Sequence, residues 1–435
     1  MQVFPLAIPR PALSRVRPLV AAVALAGLIG TGALVCMHAA AGESGFIPAS
    51  WHGLPGWMAG PLPTVGGPLR SSLYAGLFVS MCGCYAVVLM LARHVEARVA
   101  AAAIVVLHVL FLLAPPLLSA DLFGYIDYAR IGAVHGLDPY ANGPASVPHD
   151  AVFAFMRWRG DLPSPYGPLF TLGSYALAPL SVAASFWVLK TLAAAASLAI
   201  VWLVWDCARR LRIDAVPAAM LVGLNPLVLV WAVGGAHNDL IVVAAVTAGV
   251  WLAVAGRERL AGATLAGAAA LKVSAGVMLP FLVAGRPRGQ RRGAVEGAVV
   301  AGAAAIVVTL AAFGTGVTGM LRAQVDQQNL VATASLPNQV GKWLGFGGIT
   351  GGIRAVALAL FVVVLGALLV RTWRGGIGWI AAGGWATVAM LVTSAWLMPW
   401  YVTWVLPLAA LSRDRRLIGA TLALCAYLVV MRTPF

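Results

Sequence analysis

Residues 19–41 form an apolar run with none of the in–out alternation of a half-buried strand, and the pattern recurs at 71–91, 99–118, 182–205, 294–313, 355–370 and 378–397. Runs of about 20 apolar residues match the hydrocarbon thickness of a bilayer when wound as α-helices. Only helices and closed barrels satisfy their backbone in lipid, and barrel strands alternate in polarity. Of the 435 residues, 61% are hydrophobic and 10% charged, with mean hydropathy +0.91. No water-soluble domain can hide that much apolar surface. The expected fold is therefore an all-α polytopic membrane protein with about 11–13 membrane helices. The chain reads as one transmembrane domain over residues 1–435.

The net charge of +15 fits basic loops on the cytoplasmic side rather than a nucleic-acid partner. Arg10, Arg15 and Arg17 precede the first run, which is long for a signal sequence and reads as a retained span. A loop with Trp51, His52 and Trp57 follows on the outer side. Alternation then brings Arg93 and Arg98, Arg209 to Arg212, Arg257 and Arg259, Arg371 and Arg374, and Arg413 to Arg416 inward. About two-thirds of the 29 Lys+Arg fall inside on this scheme. Arg70, Arg130, Arg157, Arg159, Lys190, Arg322, Lys342, Arg354 and Arg432 fall outside. Residues 166–179 lie on the outer surface or half-inserted. Residues 260–284 have basic flanks on both sides, so a pair of short helices that dips in and returns is favoured over one crossing. Cys36, Cys82, Cys84, Cys207 and Cys425 lack metal or redox spacing and read as packing residues.

Polar chemistry collects in two outer loops, 119–170 and 314–352. Asp121, Tyr125 and Tyr128 share one helix face at i, i+4 and i+7. A carboxylate where a span meets the outer face is partly desolvated and suits a general base, against the blander reading of a helix cap. Asp127 and Arg130 project elsewhere and pair. In “HGLDPYANGP”, Asp138 and Tyr140 suit sugar hydroxyls and a sugar face, though turn chemistry alone explains the pattern. Prolines flank Tyr166-Gly167 in “SPYGPLF” and give a rigid lead into a helix, a positioning role. In “GGAHNDL”, His237, Asn238 and Asp239 are consecutive polar groups beside glycines that admit a ligand closely. His237 and Asp239 supply too few ligands to define a divalent metal site, so no cofactor is indicated. Lys272 is a cation inside a membrane segment, functional by default and suited to a lipid phosphate. Arg322 and Lys342 are further phosphate candidates. Trp396, Trp400, Tyr401 and Trp404 read first as an interfacial aromatic belt, with a sugar or lipid platform as the alternative.

The ordered set “SADLFGY…GLDPY…SPYGPLF”, “NPLVLVWAVGGAHNDL” and “LKVSAGVMLP” resembles the polyprenol-phosphate-mannose-dependent α-1,6-mannosyltransferases of the MptA/MptB type, in the GT-C class of glycosyltransferases. The resemblance implies a polytopic bundle with a catalytic acid in an early extracytoplasmic loop, here Asp121. It also implies a polyprenyl-phosphate-mannose donor in the plasma membrane and a mannoside glycolipid or lipoglycan acceptor. Tyr125, Arg130, Asp138, Tyr140, Tyr166, His237, Asn238, Asp239, Lys272, Arg322 and Lys342 are the expected substrate contacts. A carotenoid or other lipid acceptor stays open. A transporter or flippase of a lipid-linked sugar is the competing class. It predicts internal repeats and several ionisable groups at depth, whereas Lys272 stands nearly alone.

Overall fold

The computed structural model describes residues 10–42, 45–48, 54–65, 71–157 and 159–432; Trp51 and His52 lie outside these. The described residues are helical and turn structure with no strand. Five helical spans are long and apolar enough to cross a bilayer: Val16–Ala40, Leu73–Met90, Val182–Arg210, Arg288–Met320 and Gly351–Trp373. Shorter apolar helices pack among them, including Ala97–Leu113, Asp239–Val254 and Trp379–Thr393. Val299, Val300, Ile306 and Val307 on one long helix, and Val356, Leu358 and Val363 on another, point outward. Lipid around the chain removes the cost such a surface has in water.

Breaks in the helices matter more to the site than their lengths. Pro115 and Pro116 stop the helix Ala97–Leu113, so residues 114–120 run without helical structure before Asp121–Ala133 begins. The run expected as one span at 216–233 is also interrupted. Its helix ends at Gly223, and Asn225 Oδ1 accepts from the N–H groups of Leu227 and Val228 ahead of a π-helical turn, Val228–Val233. Such turns recur where a helix is adapted to a function. Between 166 and 179 the helix Pro168–Ser174 has only 7 residues, too few to cross.

The segment 260–284 folds as a dip and return. Helix Glu258–Leu271 ends at Lys272, a tight turn Val273–Val277 follows, and Met278–Ala284 leads back. Its two ends meet, because Arg286 Nε lies 3.2 Å from Glu258 Oε2. The outgoing helix packs backbone to backbone on Arg288–Phe313, where a Cβ on Gly297 would strike the Arg259 carbonyl. Lys272 is therefore carried at the tip of a re-entrant hairpin.

Candidate active site

Asp121 is the first residue of its helix, and its N–H donates to Ser119 Oγ at 3.1 Å. A carboxylate there faces the positive end of the helix dipole. The approach to it is strained, since Leu118 adopts φ 59°, a region branched side chains avoid. The strain is held by neighbours. Leu118 N–H donates to the Phe46 carbonyl at 2.8 Å and Leu117 N–H to the Gly234 carbonyl at 3.1 Å. Lys190 is expected among the outer cations, yet it is wholly buried. Its ammonium donates to the carbonyls of Ala114 at 2.6 Å and Phe111 at 2.9 Å and reaches Gly234 at 3.3 Å. The proline break frees carbonyls in the interior, and only a buried donor can satisfy them.

The second wall comes from the turn after Val228–Val233. Ala236 takes φ 52° there, a second strained residue next to the site. Gly234 does not serve ligand approach, as its position in the motif suggests. A Cβ on it would meet the Leu117 side chain at 2.7 Å, so the glycine lets the two strained turns touch. His237 likewise stands behind the wall rather than in it. Its buried ring stacks on Trp400 at 3.6 Å between centroids, and its Nδ1 lies 3.6 Å from Asp121 Oδ2. Burial lowers the His237 pKa, opposed by the Asp121 carboxylate. Asn238 Oδ1 accepts from the Tyr125 hydroxyl at 3.3 Å, and Asn238 N–H donates back to that oxygen at 3.2 Å. Burial and the nearby Asp121 and Asp239 carboxylates push the Tyr125 phenol well above its usual range. Asp239 Oδ1 accepts from Lys272 Nζ and from Trp404 Nε1, both at 2.7 Å.

These groups surround a cavity of about 330 Å³ lined by Asp121, Tyr125, Tyr166, Asn238, Asp239, Lys272 and Ser274, with Trp396, Trp400, Tyr401 and Trp404 opposite. The tryptophan-rich stretch is thus a wall of the site, the platform that the sequence offered as the alternative to an interfacial belt. Trp404 is drawn inward by its bond to Asp239, Trp400 by its stack on His237. Sequence reasoning gave these aromatics only as an alternative sugar or lipid platform and left Ser274 out of the site, although a Trp-Tyr density of this kind was the available signal. Tyr166 reaches the cavity because Gly167 sits directly on the end of the re-entrant helix. Gly167 N–H donates to the Leu271 carbonyl at 3.1 Å, and a Cβ there would collide with it. Asn238 Nδ2 and Ser274 Oγ are buried without a hydrogen-bond partner among the described residues. Aromatic faces with unpaired polar atoms between them match the alternating C–H and O–H surface of a saccharide.

Five expected contacts lie elsewhere. Arg130 does not pair with Asp127; its Nε donates to Asp150 at 2.8 Å, and His135 Nε2 meets the same carboxylate at 2.7 Å. Burial raises the Asp150 pKa, but the Arg130, Val152 and His135 hydrogen bonds outweigh it and hold the group below its usual range. Asp127 is left buried with neither oxygen bonded among the described residues. Burial, with Asp150 adding, pushes it up to about 7. Asp138 Oδ1 accepts from the Tyr140 N–H at 2.8 Å, an Asx turn. The Tyr140 hydroxyl donates within the interior to the Tyr166 carbonyl and pairs with the Thr171 hydroxyl, both at 3.0 Å, and its ring packs edge-on against Phe313. Neither residue lines the cavity. Arg322 and Lys342 are exposed on helices Thr318–Asn329 and Leu336–Trp343 and do not line the cavity.

Comparison with known proteins agrees with this geometry. The model of the alpha-(1->6)-mannopyranosyltransferase N-terminal domain matches residues 25–286, and that of the MptB C-terminal domain matches residues 331–435. The cavity draws Asp121, Asp239 and Lys272 from the first stretch and its tryptophans from the second. The chain is 29% identical over 351 residues to alpha-(1->6)-mannopyranosyltransferase A of Mycobacterium tuberculosis, covering 74% of this chain and 68% of that protein. It is 27% identical to a probable alpha-(1->6)-mannopyranosyltransferase of Mycolicibacterium smegmatis, covering 72% and 65%. It is 27% identical to alpha-(1->6)-mannopyranosyltransferase B of Corynebacterium glutamicum, covering 69% and 56%. The matches thus span between about half and two-thirds of these relatives' own lengths. No solved structure matches.

Proposed function

The chain belongs to the alpha-(1->6)-mannopyranosyltransferase family, a family of glycosyltransferases, and from that membership we propose that it transfers mannose from a polyprenyl-phosphate carrier to a mannoside glycolipid. The reaction takes place at the extracytoplasmic face of the plasma membrane, in the loop 119–170, and forms an α-1,6 linkage. The acceptor hydroxyl attacks the anomeric carbon of a β-linked mannosyl phosphate from the opposite face. The new C–O bond forms as the bond from that carbon to the phosphate oxygen breaks, which inverts the configuration to α. The hydroxyl proton passes to the Asp121 carboxylate, and the carrier departs as a phosphate monoester. Phosphate is a good leaving group, so one carboxylate suffices where a glycosidase needs two.

The observation that carries this reading is the position of Asp121. Among the described residues it is the carboxylate on the cavity wall without a Lys or Arg bonded to it, whereas Asp239 is engaged by Lys272. Trp400, Tyr401 and Tyr166 offer faces for sugar rings, and Asn238 Nδ2 and Ser274 Oγ offer bonds to hydroxyls. His237 Nδ1 lies 3.6 Å from Asp121 Oδ2, outside hydrogen-bond range, and acts on that carboxylate through charge alone. The test is mannose transfer from synthetic polyprenyl-phosphate-mannose to short α-mannosides by purified wild-type and Asp121→Asn protein. The variant should lose about 10²–10⁴-fold in rate with an unchanged melting curve. Transfer at near wild-type rate by Asp121→Asn would remove its role as base.

A further inference from the structure

Asp121 faces two cavities. Besides the aromatic chamber it lines a smaller one of about 110 Å³, together with Tyr128, Arg157, Pro165, Tyr166 and Trp396. At about 30 Å³ per water, the larger cavity has the volume of about eleven waters, enough for one hexose ring and its substituents. The smaller has a third of that volume and suits a compact tetrahedral oxyanion better than a sugar ring.

The charge around the smaller cavity points the same way. Arg157 is on its wall, and Arg432 lies close enough to Arg157 for the two cations to repel. Arg432 contacts the strand of chain that follows Trp396, with Nη2 3.5 Å from the Leu397 carbonyl and 3.2 Å from Met398 Sδ. Its Nε is buried without a hydrogen-bond partner among the described residues. Arg157 on the cavity wall and Arg432 close to it, the latter with an unused donor, together supply the charge and the hydrogen bonds that suit an anion. The other cations fit less well. Lys272 is held at 2.7 Å by Asp239, and Arg322 and Lys342 line neither cavity.

We propose that the smaller cavity, with Arg157 and Arg432, binds the phosphate of a lipid phosphate, while the aromatic chamber takes saccharide. Asp121 then stands at the junction. The assignment rests on the transferase reading for its chemistry: as the bond from sugar to phosphate breaks, the departing group gains negative charge, and paired guanidiniums stabilise a dianion more than a diester. It places the leaving group away from Lys272, contrary to what an intramembrane lysine suggests from sequence.

The test is equilibrium binding of dodecyl phosphate to the purified full-length chain by titration calorimetry, with dodecyl maltoside and inorganic phosphate as the other probes. No mannose is present, so absence of transferase activity in a parallel assay would count against the proposed function without touching this result. Arg157→Gln and Arg432→Gln should each weaken dodecyl phosphate binding by at least about tenfold, and Lys272→Gln by less than about twofold. Arg157 is exposed, so its variant stays informative if Arg432→Gln disturbs the helix end. Wild-type affinity in Arg157→Gln, or a larger loss in Lys272→Gln protein that circular dichroism shows to be folded, would overturn the site. Inorganic phosphate binding as tightly as dodecyl phosphate would overturn the lipid as its source.

Discussion

The pair Asp239–Lys272 joins the N-terminus of helix Asp239–Val254 to the tip of the re-entrant hairpin, and its strength can be measured. The contact is 2.7 Å, with the Asp239 side chain 2% exposed and the Lys272 side chain 24% exposed. At an effective dielectric of about 20, the direct attraction is about 6 kcal/mol before desolvation is subtracted. Removing one partner of a buried pair costs about 3–5 kcal/mol, because the other charge is stranded. The two single variants should not be equal. Lys272→Met strands the more deeply buried charge, which keeps only its Trp404 bond, and should cost about 4 kcal/mol. Asp239→Asn strands an ammonium that a cavity can hydrate, and should cost about 3 kcal/mol. The double variant should cost less than their sum by about 2 kcal/mol. Unfolding of the four proteins in mixed micelles, followed by circular dichroism as SDS is raised, gives all four numbers. Additivity of the single costs to within about 0.5 kcal/mol would refute the coupling. It would also return Lys272 to the set of cations free to take a phosphate.

Asp127→Asn should raise stability at pH 8, because the carboxyl is buried among Asp150, His135, Arg130 and Tyr128 and titrates at about 7. A raised folded-state pKa means the native protein holds a proton the unfolded chain has lost, so wild-type stability falls as pH climbs from about 4 to 7, by at most about 4 kcal/mol. Melting curves of both proteins should separate at pH 8 and converge toward pH 4; a constant separation would show that Asp127 does not titrate in this window. Lys190→Met should cost at least about 2 kcal/mol in the same micelle unfolding assay, since it leaves the Phe111 and Ala114 carbonyls without this donor. It should lower mannose transfer as well, because residues 114–120 position Asp121; a variant as stable and active as wild type would show those carbonyls find other partners.

Helical membrane architecture was legible from the sequence because it depends on composition summed over windows of about 20 residues, and lipid imposes the same rule on every window. Asp121, Tyr125, Tyr166, Asn238, Asp239 and Lys272 were legible too, because polar residues next to apolar runs are costly and stand out. The dip at 260–284 followed from arginines on both flanks, and the Glu258–Arg286 contact agrees with it. Sequence could not say which polar groups use each other up. Asp138 and Tyr140 look like sugar contacts until their hydrogen bonds to the turn and to Thr171 are seen. Arg130 looks like a partner of Asp127 until Asp150 arrives from 20 residues away. Lys190 looks external until proline-broken carbonyls from two other segments gather round it. Tertiary structure alone turned the tryptophans at 396–404 inward and set Asp121 between two chambers. Local pattern reports the cost of a group, whereas its role depends on which partners, distant in sequence, are within about 3 Å to offset that cost.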